Sequence, residues 1–278
     1  MMKAFSYLLL GGSLLTGSVA MAQPKPIHLF NGKDLNDWNV KITGHNLDDN
    51  FANTFRVENG ALKVSYDGYT KFDEQYGHIF HKQKFSAYLL VMEYRFTGEQ
   101  VAAGPGWAWR NSGAMIHSQP ANTMGKDQDF PISIEVQLLG GNGKEERTTA
   151  NVCTPGTNIV LRGERDRSHC INSKSKTYAG DQWVRCEVLV LGDSLIQHIV
   201  EGDTVLSYVK PQIGDGNVSN YDPAQKQDGK ALTEGYIALQ SESHPVEYRK
   251  VDVYDLSSYM GNEKKLAKQL KKLKKKKK

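Results

Sequence analysis

The sequence predicts an all-β fold, an antiparallel β-sandwich or jelly roll. Short runs with alternating apolar and polar residues recur along the chain, turn signals separate them, and helical periodicity appears only in the last residues. The chain has 278 residues, of which 39% are hydrophobic and 24% charged, values typical of a globular protein. No internal repeat and no Pro/Ser-rich linker divides its central part, which predicts a single large domain.

The N-terminus has the pattern of a secretory signal peptide. Lys3 precedes an apolar stretch, and the triplet Ala20-Met21-Ala22 is typical of a cleavage site. The apolar stretch is too short for a membrane span. We therefore expect a mature protein that begins near Gln23 and is periplasmic or secreted. The predicted organisation is a signal peptide at 1–22, a β-jelly-roll domain at 23–260 and a Lys-rich tail at 261–278.

The strand-like runs follow one another at short intervals. The first is a hairpin, because Asn59-Gly60 is a strong turn signal between two alternating segments. A later run, 183–211, contains two turn signals and is predicted to form three antiparallel strands. The remaining predicted strands fall within residues 85–98, 112–119, 130–139, 235–242 and 246–256. Two long loops, 97–112 and 212–233, interrupt the pattern, and loops of this length in a compact domain are usually functional.

The run "FPISIEVQLLGGNG", residues 130–143, raises the first functional question. Its apolar residues alternate with polar ones, so Glu135 and Gln137 share one face of a predicted strand that lies mid-sheet. One interpretation is a solvated sheet face, the usual place for alternating polar residues. The other is a binding site built on the concave side of a sheet.

Five motifs in order along the chain resemble one known family. They are "IHLFNGKDLNDW", "FRVENGALKV", "RNSGAMIHSQ", "IEVQLLGG" and "GYIALQSESHPVEYRKV", spread over residues 27–256. Together they are similar to the DUF1080 family, described as 3-keto-disaccharide hydrolases. The resemblance implies a concanavalin-A-like jelly roll and a role in glycan or glycoside breakdown outside the cytoplasm. It also implies action on sugars that carry a ketone at C3, although such folds also host lectins.

The implied chemistry assigns roles to the residues of that strand. A ketone at C3 acidifies the proton on C2, so a positioned base can remove it and the group on C1 can leave by elimination. Water then adds back. Glu135 suits the base, or a ligand of a catalytic metal, and Gln137 suits a hydroxyl-binding amide. The alternative function is a non-catalytic, lectin-like sugar-binding protein, and a second ionisable group beside Glu135 would favour the enzyme.

Further candidates come from the neighbouring motifs. His117 and His244 are candidate bases, although a lone histidine is more often structural. Either of two tryptophans could stack on a sugar ring, or one could belong to the core. Arg110 could bind sugar oxygens or pair with a surface acid, and Arg249, which matches a basic position of the family, could form only a sheet-face salt bridge. The predicted substrate-binding set, besides Gln137, is Trp107, Trp109, Arg110, Asn111, Gln240 and Arg249.

Cysteine and acidic residues add two more expectations. Cys153 and Cys170 enclose sixteen residues that read as a loop, and in an oxidising compartment they are predicted disulfide partners. Cys186 lies in a strand-like run and is predicted to be a buried free thiol. Asp127 and Asp129 have the spacing of oxygen ligands for Ca²⁺, or of a turn with side-chain-to-backbone hydrogen bonds. A divalent metal cofactor is therefore possible but not required by the pattern.

Charge separates the tail from the body. Residues 263–278 hold ten lysines and one glutamate; without these and Lys3, 24 basic residues remain against 30 acidic ones. The acidic body excludes a basic nucleic-acid-binding footprint. The family resemblance implies a small-molecule or oligosaccharide ligand as the partner. Leu266, Leu270 and Leu273 have helical spacing, so the tail could be a basic amphipathic segment that touches anionic lipid or polymer. A frayed, solvated terminus is the interpretation that the sequence favours.

Overall fold

Two antiparallel β-sheets packed face to face form the body of the protein. The computed structural model describes residues 25–275, so the predicted signal peptide lies outside the described residues. The strands are β1 Ile27–His28, β2 Trp38–Ile42, β3 Phe55–Glu58, β4 Ala61–Val64, β5 Gly77–His81, β6 Ala87–Phe96, β7 Asn111–Ser118, β8 Ile134–Leu139, β9 Asn151–Cys153, β10 Thr157–Leu161, β11 Glu164–Asp166, β12 Cys170–Ile171, β13 Val184–Leu191, β14 Leu195–Val200, β15 Asp203–Ile213, β16 Tyr236–Ser241 and β17 Val246–Asp255. The predicted jelly-roll fold is confirmed.

The two sheets differ in size. The smaller has seven strands in the order β12-β9-β8-β7-β16-β5-β2. The larger has ten, in the order β11-β10-β15-β14-β13-β6-β17-β4-β3, with β1 beside β17. Alternate side chains of both sheets meet in one core. In β8 these are Ile134, Val136 and Leu138, each fully buried, so the predicted parity is confirmed and Glu135 and Gln137 face outward from the sandwich.

Most turns form where the sequence places them, with one exception. Asn59 and Gly60 have φ of 50° and 76° in the β3–β4 hairpin, the left-handed conformation that an Asn-Gly turn requires. The segment between Cys153 and Cys170 is the exception, because the loop expected there contains the β10–β11 hairpin. The local sequence does not reveal this hairpin because β10 also pairs with β15, about fifty residues later in the chain.

The tail forms the α-helix of the described region, α1 Glu263–Lys275. Asn262 caps it by accepting a hydrogen bond from the backbone N–H of Lys265 at 3.0 Å. Its leucines pack on the outer face of the larger sheet, and Leu273 is only 4% exposed. The expectation of a frayed, solvated terminus is therefore wrong. The reason is a patch of outward-facing apolar residues in β6 and β13, which the parity of single strands did not single out: Ala87, Leu89, Val91, Leu189 and Leu191.

Two further features complete the frame. Cys153 and Cys170 are bonded across β9 and β12, while Cys186 is free and buried, as predicted. Within residues 25–275, no helix has the length and apolar character needed to cross a membrane.

Candidate functional site

A cavity of about 430 Å³ opens on the outer face of the smaller sheet. Strands β7, β8 and β9 form its floor, and the long loop before β7 and the segment after β16 contribute walls. The lining includes an aromatic side chain and five polar or charged ones that could contact a ligand: Trp107, Asn111, Glu135, Gln137, Arg147 and Glu242.

Glu135 lies at the centre of this floor. It is 6% exposed, and burial raises the pKa of its carboxyl above the usual value for glutamate. The carboxyl lies over Gly113 of the neighbouring strand, where a Cβ atom would lie 2.6 Å from Oε1. Gln137 lies two residues further on the same face, and its Oε1 accepts a hydrogen bond from Asn151 Nδ2 at 3.0 Å. The amide NH₂ of Gln137 remains available to a ligand.

Glu242 is the second carboxyl of the cavity; it alternates with Gln240 in the sequence but was not among the predicted site residues. It follows β16, has the same parity as Gln240, and is 3% exposed. Burial, and secondly the charge of Glu135, raise its pKa well above the usual range. Within residues 25–275, its Oε2 atom is buried without a hydrogen-bond partner. The alternation in "LQSE" was the signal that could have identified it.

Other buried polar groups around Glu135 and Glu242 also lack partners in the described part of the chain. Asn111 is 2% exposed, lines the cavity and leaves Oδ1 without a partner. Gln240 is fully buried, and neither atom of its amide is hydrogen-bonded. It pairs in register with His78 of β5, whose two ring nitrogens are equally unsatisfied. Because such groups are costly to bury, their concentration here indicates a site for a polar ligand.

Two side chains that come from loops also line the cavity, and one of them is a cation. Arg147 Nη1 donates to the backbone oxygens of Trp109 at 2.8 Å and Gly140 at 2.6 Å, which fixes the guanidinium at the wall. His169 also lines the cavity, and burial lowers its pKa. The adjacent Cys153–Cys170 disulfide forms part of the same wall. Neither Arg147 nor His169 was predicted, because each reaches the cavity from a loop.

Trp107 forms an aromatic platform at the cavity mouth. It lies in a short 3₁₀ turn, Gly106–Ala108, and is 56% exposed. Tyr76 stacks beside its ring at 6.2 Å with an interplanar angle of 16°. An exposed aromatic face supported by a second ring suits stacking on the apolar face of a sugar.

Neither predicted catalytic histidine lines the cavity. His117 has a φ of 50° at a β-bulge, and its Nε2 lies 3.1 Å from the backbone oxygen of Gly192 in the other sheet. His244 is fully buried between the rings of Phe96 and Trp109, at centroid distances of 5.8 and 5.5 Å. Burial lowers the pKa of both to about 4, so both imidazoles are neutral at neutral pH.

Three predicted binding residues are also placed elsewhere. Arg110 points away from the cavity and donates to Gly180 O at 2.7 Å and Asp181 Oδ1 at 3.0 Å. Trp109 packs behind the cavity against His244. Arg249 is the extra residue of a β-bulge in β17, on the outer face of the larger sheet, where it pairs with Glu93. The sheet-face salt bridge was therefore the correct alternative for Arg249, and pairing with a surface acid for Arg110.

The acidic pair considered for Ca²⁺ does not have the geometry of a metal site. Asp129 Oδ1 accepts hydrogen bonds from the backbone N–H groups of Phe130 and Ser219 at 2.7 and 2.8 Å, as in a side-chain-capped turn. Within residues 25–275, no three His, Cys, Asp or Glu side chains are grouped so that they could hold a metal ion. Asp127 and Asp129 thus do not form a Ca²⁺ site, and the turn with side-chain-to-backbone hydrogen bonds was the correct alternative.

The sequence motifs and the fold agree with one family profile. The model of the 3-keto-alpha-glucoside-1,2-lyase-like domain matches residues 25–254. The chain belongs to this family. The matched region spans both sheets and all the cavity residues described above. No curated protein matches the chain significantly.

Solved structures match this chain at low sequence identity. A Parabacteroides distasonis protein with a provisional glycosyl hydrolase name is 17% identical, with a TM-score of 0.50; the match covers 84% of this chain and all of that one. A second protein of that kind from the same organism is 18% identical, with a TM-score of 0.48 and coverage of 84% and 94%. The carbohydrate-binding module CBM66 of Bacillus subtilis is 9% identical, with a TM-score of 0.43 and coverage of 77% and 93%.

Proposed function

We propose that this protein is an exported carbohydrate-active enzyme that cleaves 3-keto-glycosides by elimination followed by hydration. The observation that carries the proposal is the pair of buried carboxyls, Glu135 and Glu242, in one cavity that Asn111 also lines with an Oδ1 atom that has no partner among the described residues. A sugar-binding protein without catalysis needs amides and aromatic rings, but it has no use for two carboxyls that are expensive to bury.

The coupling of the two carboxyls divides the roles of base and acid. Burial raises the pKa of both, and coupled carboxyls release their protons one after the other, so one keeps its proton when the first ionises. We assign to Glu135, on the strand floor, the role of the carboxylate that accepts the C2 proton, and to Glu242 that of the carboxylic acid that protonates the leaving oxygen. Activity should rise as Glu135 ionises and fall when Glu242 also ionises.

The steps balance without a redox partner. Glu135 takes the proton from C2, and the electrons of the C–H bond form a C2=C3 enediolate. The C1–O bond then breaks as a C1=C2 bond forms and the C3 ketone returns, while Glu242 gives its proton to the departing oxygen. Addition of water across C1=C2 yields the free 3-keto sugar. Arg147, the cation in the cavity wall, supplies positive charge near the enediolate.

The remaining cavity residues bind and orient the sugar. Gln137 and Asn111 offer amide groups to ring hydroxyls, and Trp107 offers a stacking face at the mouth. Export rests on the signal-peptide pattern, and the Cys153–Cys170 disulfide supports an oxidising compartment.

The test uses nitrophenyl 3-keto-glucosides and their unoxidised parents, with and without EDTA. Nitrophenol release from the keto substrate alone is the expected result. Binding of sugars without release from either substrate would contradict catalysis and leave the lectin-like function. Equal release from the parent glucoside would indicate an ordinary glycosidase that uses the same carboxyl pair.

A further inference from the structure

The C-terminal helix presents a cationic face on the side of the sandwich opposite the cavity. The helix covers the outer face of the larger sheet, whereas the cavity opens on the outer face of the smaller sheet. Lysines follow its exposed side over a length of about 20 Å for 13 residues. The exposed ones are Lys264, Lys265, Lys268, Lys271 and Lys274.

These lysines are not used to hold the protein together. Among the exposed lysines whose side chains the structure describes, Lys264, Lys265, Lys268, Lys271 and Lys274, none forms an ion pair with a carboxylate, although the body is acidic. The helix is fixed instead by its leucines, with Leu273 buried and Leu266 and Leu270 partly buried against β6 and β13. The packing leaves the ammonium groups free for an external partner.

We infer that this cationic face holds the enzyme on the surface of a bilayer that contains anionic lipid. Clusters of four to eight lysines are attracted to such surfaces through the diffuse negative potential. The tail contains no arginine, and arginine is the side chain that binds single carboxylate or phosphate groups bidentately. A row of lysine ammonium groups along a helix therefore suits the extended negative charge of an anionic bilayer better than a single carboxylate or phosphate.

Two observations specify how the contact forms. The apolar stripe of the helix is already buried in the protein, so the helix rests on the surface and does not insert, unlike a free amphipathic helix. The position opposite the cavity leaves the cavity mouth open to solvent while the helix faces the bilayer. A polyanionic polysaccharide bound at the helix, in contrast, could not be presented to the cavity.

The test is co-sedimentation of the full chain with vesicles of phosphatidylcholine, with and without phosphatidylglycerol. We expect binding only to the anionic vesicles, at least tenfold weaker when salt is raised from about 0.1 M to about 0.5 M, because the Debye length shortens. The variant with Lys264, Lys268, Lys271 and Lys274 all changed to Gln should bind at least tenfold more weakly and keep its melting temperature.

A matched control removes the same charge from other exposed lysines: Lys33, Lys71, Lys82 and Lys230, each changed to Gln. Unchanged vesicle binding by this control is expected. Equal loss in both variants would show that net charge, and not the helix, governs binding, and would overturn the proposal. Tighter binding to soluble dextran sulfate than to the anionic vesicles would overturn it in favour of a polymer. None of these outcomes depends on the proposed catalytic activity.

Discussion

On the outer face of each sheet, alternate residues of the strands place charged side chains, but the carboxyls of the two faces differ in their partners. On the larger sheet, Glu93 pairs with Arg185 at 3.1 Å and with Arg249 at 2.6 Å, all partly open to solvent. On the smaller sheet, Glu135 and Glu242 are buried, and neither forms an ion pair within residues 25–275. One face thus satisfies its charges and the other leaves them unsatisfied.

This difference shows which of the two outer faces reduces the free energy of unfolding. Exposed ion pairs contribute little to stability, so the network around Glu93 is close to neutral for the fold. A buried carboxyl without a partner is destabilising, and strongly shifted pKa values of this kind are concentrated at functional sites. The unsatisfied face is therefore the one on which to test function, and the satisfied face supplies the controls.

The largest expected effect comes from Glu135→Gln. This nearly isosteric change removes the proposed base, and loss of a general base typically costs about 10²–10⁴-fold in rate. Steady-state turnover of a 3-keto-glucoside, with the melting temperature as a fold check, measures it. Glu93→Gln on the opposite face is the matched control and should retain activity. A folded Glu135→Gln protein with full turnover would end the proposal that this carboxyl is the base.

The next largest effect concerns the helix on the larger sheet. Truncation after Asn262 exposes the apolar patch around Leu89 and removes Leu273, and burying one leucine is commonly worth about 1.5–3 kcal/mol. We expect the melting temperature to fall by several degrees while turnover of a soluble substrate at 25 °C is kept. Thermal unfolding followed by circular dichroism measures the shift. An unchanged melting temperature would mean that the helix does not stabilise the fold.

A pH series tests the burial of Glu242. The unfolded chain releases its proton at about pH 4.3, but burial raises the folded-state pKa, so the folded protein binds more protons above that pH. Between the unfolded-state and folded-state pKa values, the free energy of unfolding therefore falls by about 1.4 kcal/mol for each pH unit of increase. Glu242→Gln should melt higher than the parent at about pH 8, with the difference shrinking towards about pH 4. A pH-independent difference would argue against a buried titrating carboxyl.

The smallest effect is expected from Trp107→Ala. Loss of the stacking platform should raise KM about fivefold with kcat nearly unchanged, because one aromatic contact is worth about 1 kcal/mol. Trp183→Ala is the control, since Trp183 lies under Arg95 and Arg249 on the opposite face, each 4.6 Å from its ring. A fall in kcat with unchanged KM would place Trp107 in the chemistry and not in binding.

The alternation of apolar and polar residues within single strands was enough to predict the fold and the residues on the cavity floor. Alternation within β8 was enough to place Glu135 and Gln137 on one face, because a strand with one buried side has its register set by its apolar residues. The same reasoning applied to "LQSE" would have given Glu242. Spacing and compartment were likewise enough to pair Cys153 with Cys170.

The failures share a different physical origin. A β-bulge adds one residue to a strand and changes where the following side chains point, and a bulge in β7 displaced His117 from the expected face. Arg249 was selected because it matches a basic position of the family, and that match does not tell which of the two sheets its strand joins. Arg147 and His169 reach the cavity from loops, whose positions depend on contacts distant in sequence.

The position of the Glu135 carboxyl requires a residue without a Cβ atom at position 113. Any other residue there would place a Cβ atom 2.6 Å from Glu135 Oε1 and push the carboxyl out of its position. Substitutions at positions 113 and 135 should therefore be correlated. Relatives with glutamate at the position of Glu135 should keep glycine at the position of Gly113, and relatives without this carboxyl can vary at both positions. Among related sequences, that pair would separate members that retain the chemistry from members that retain only the fold.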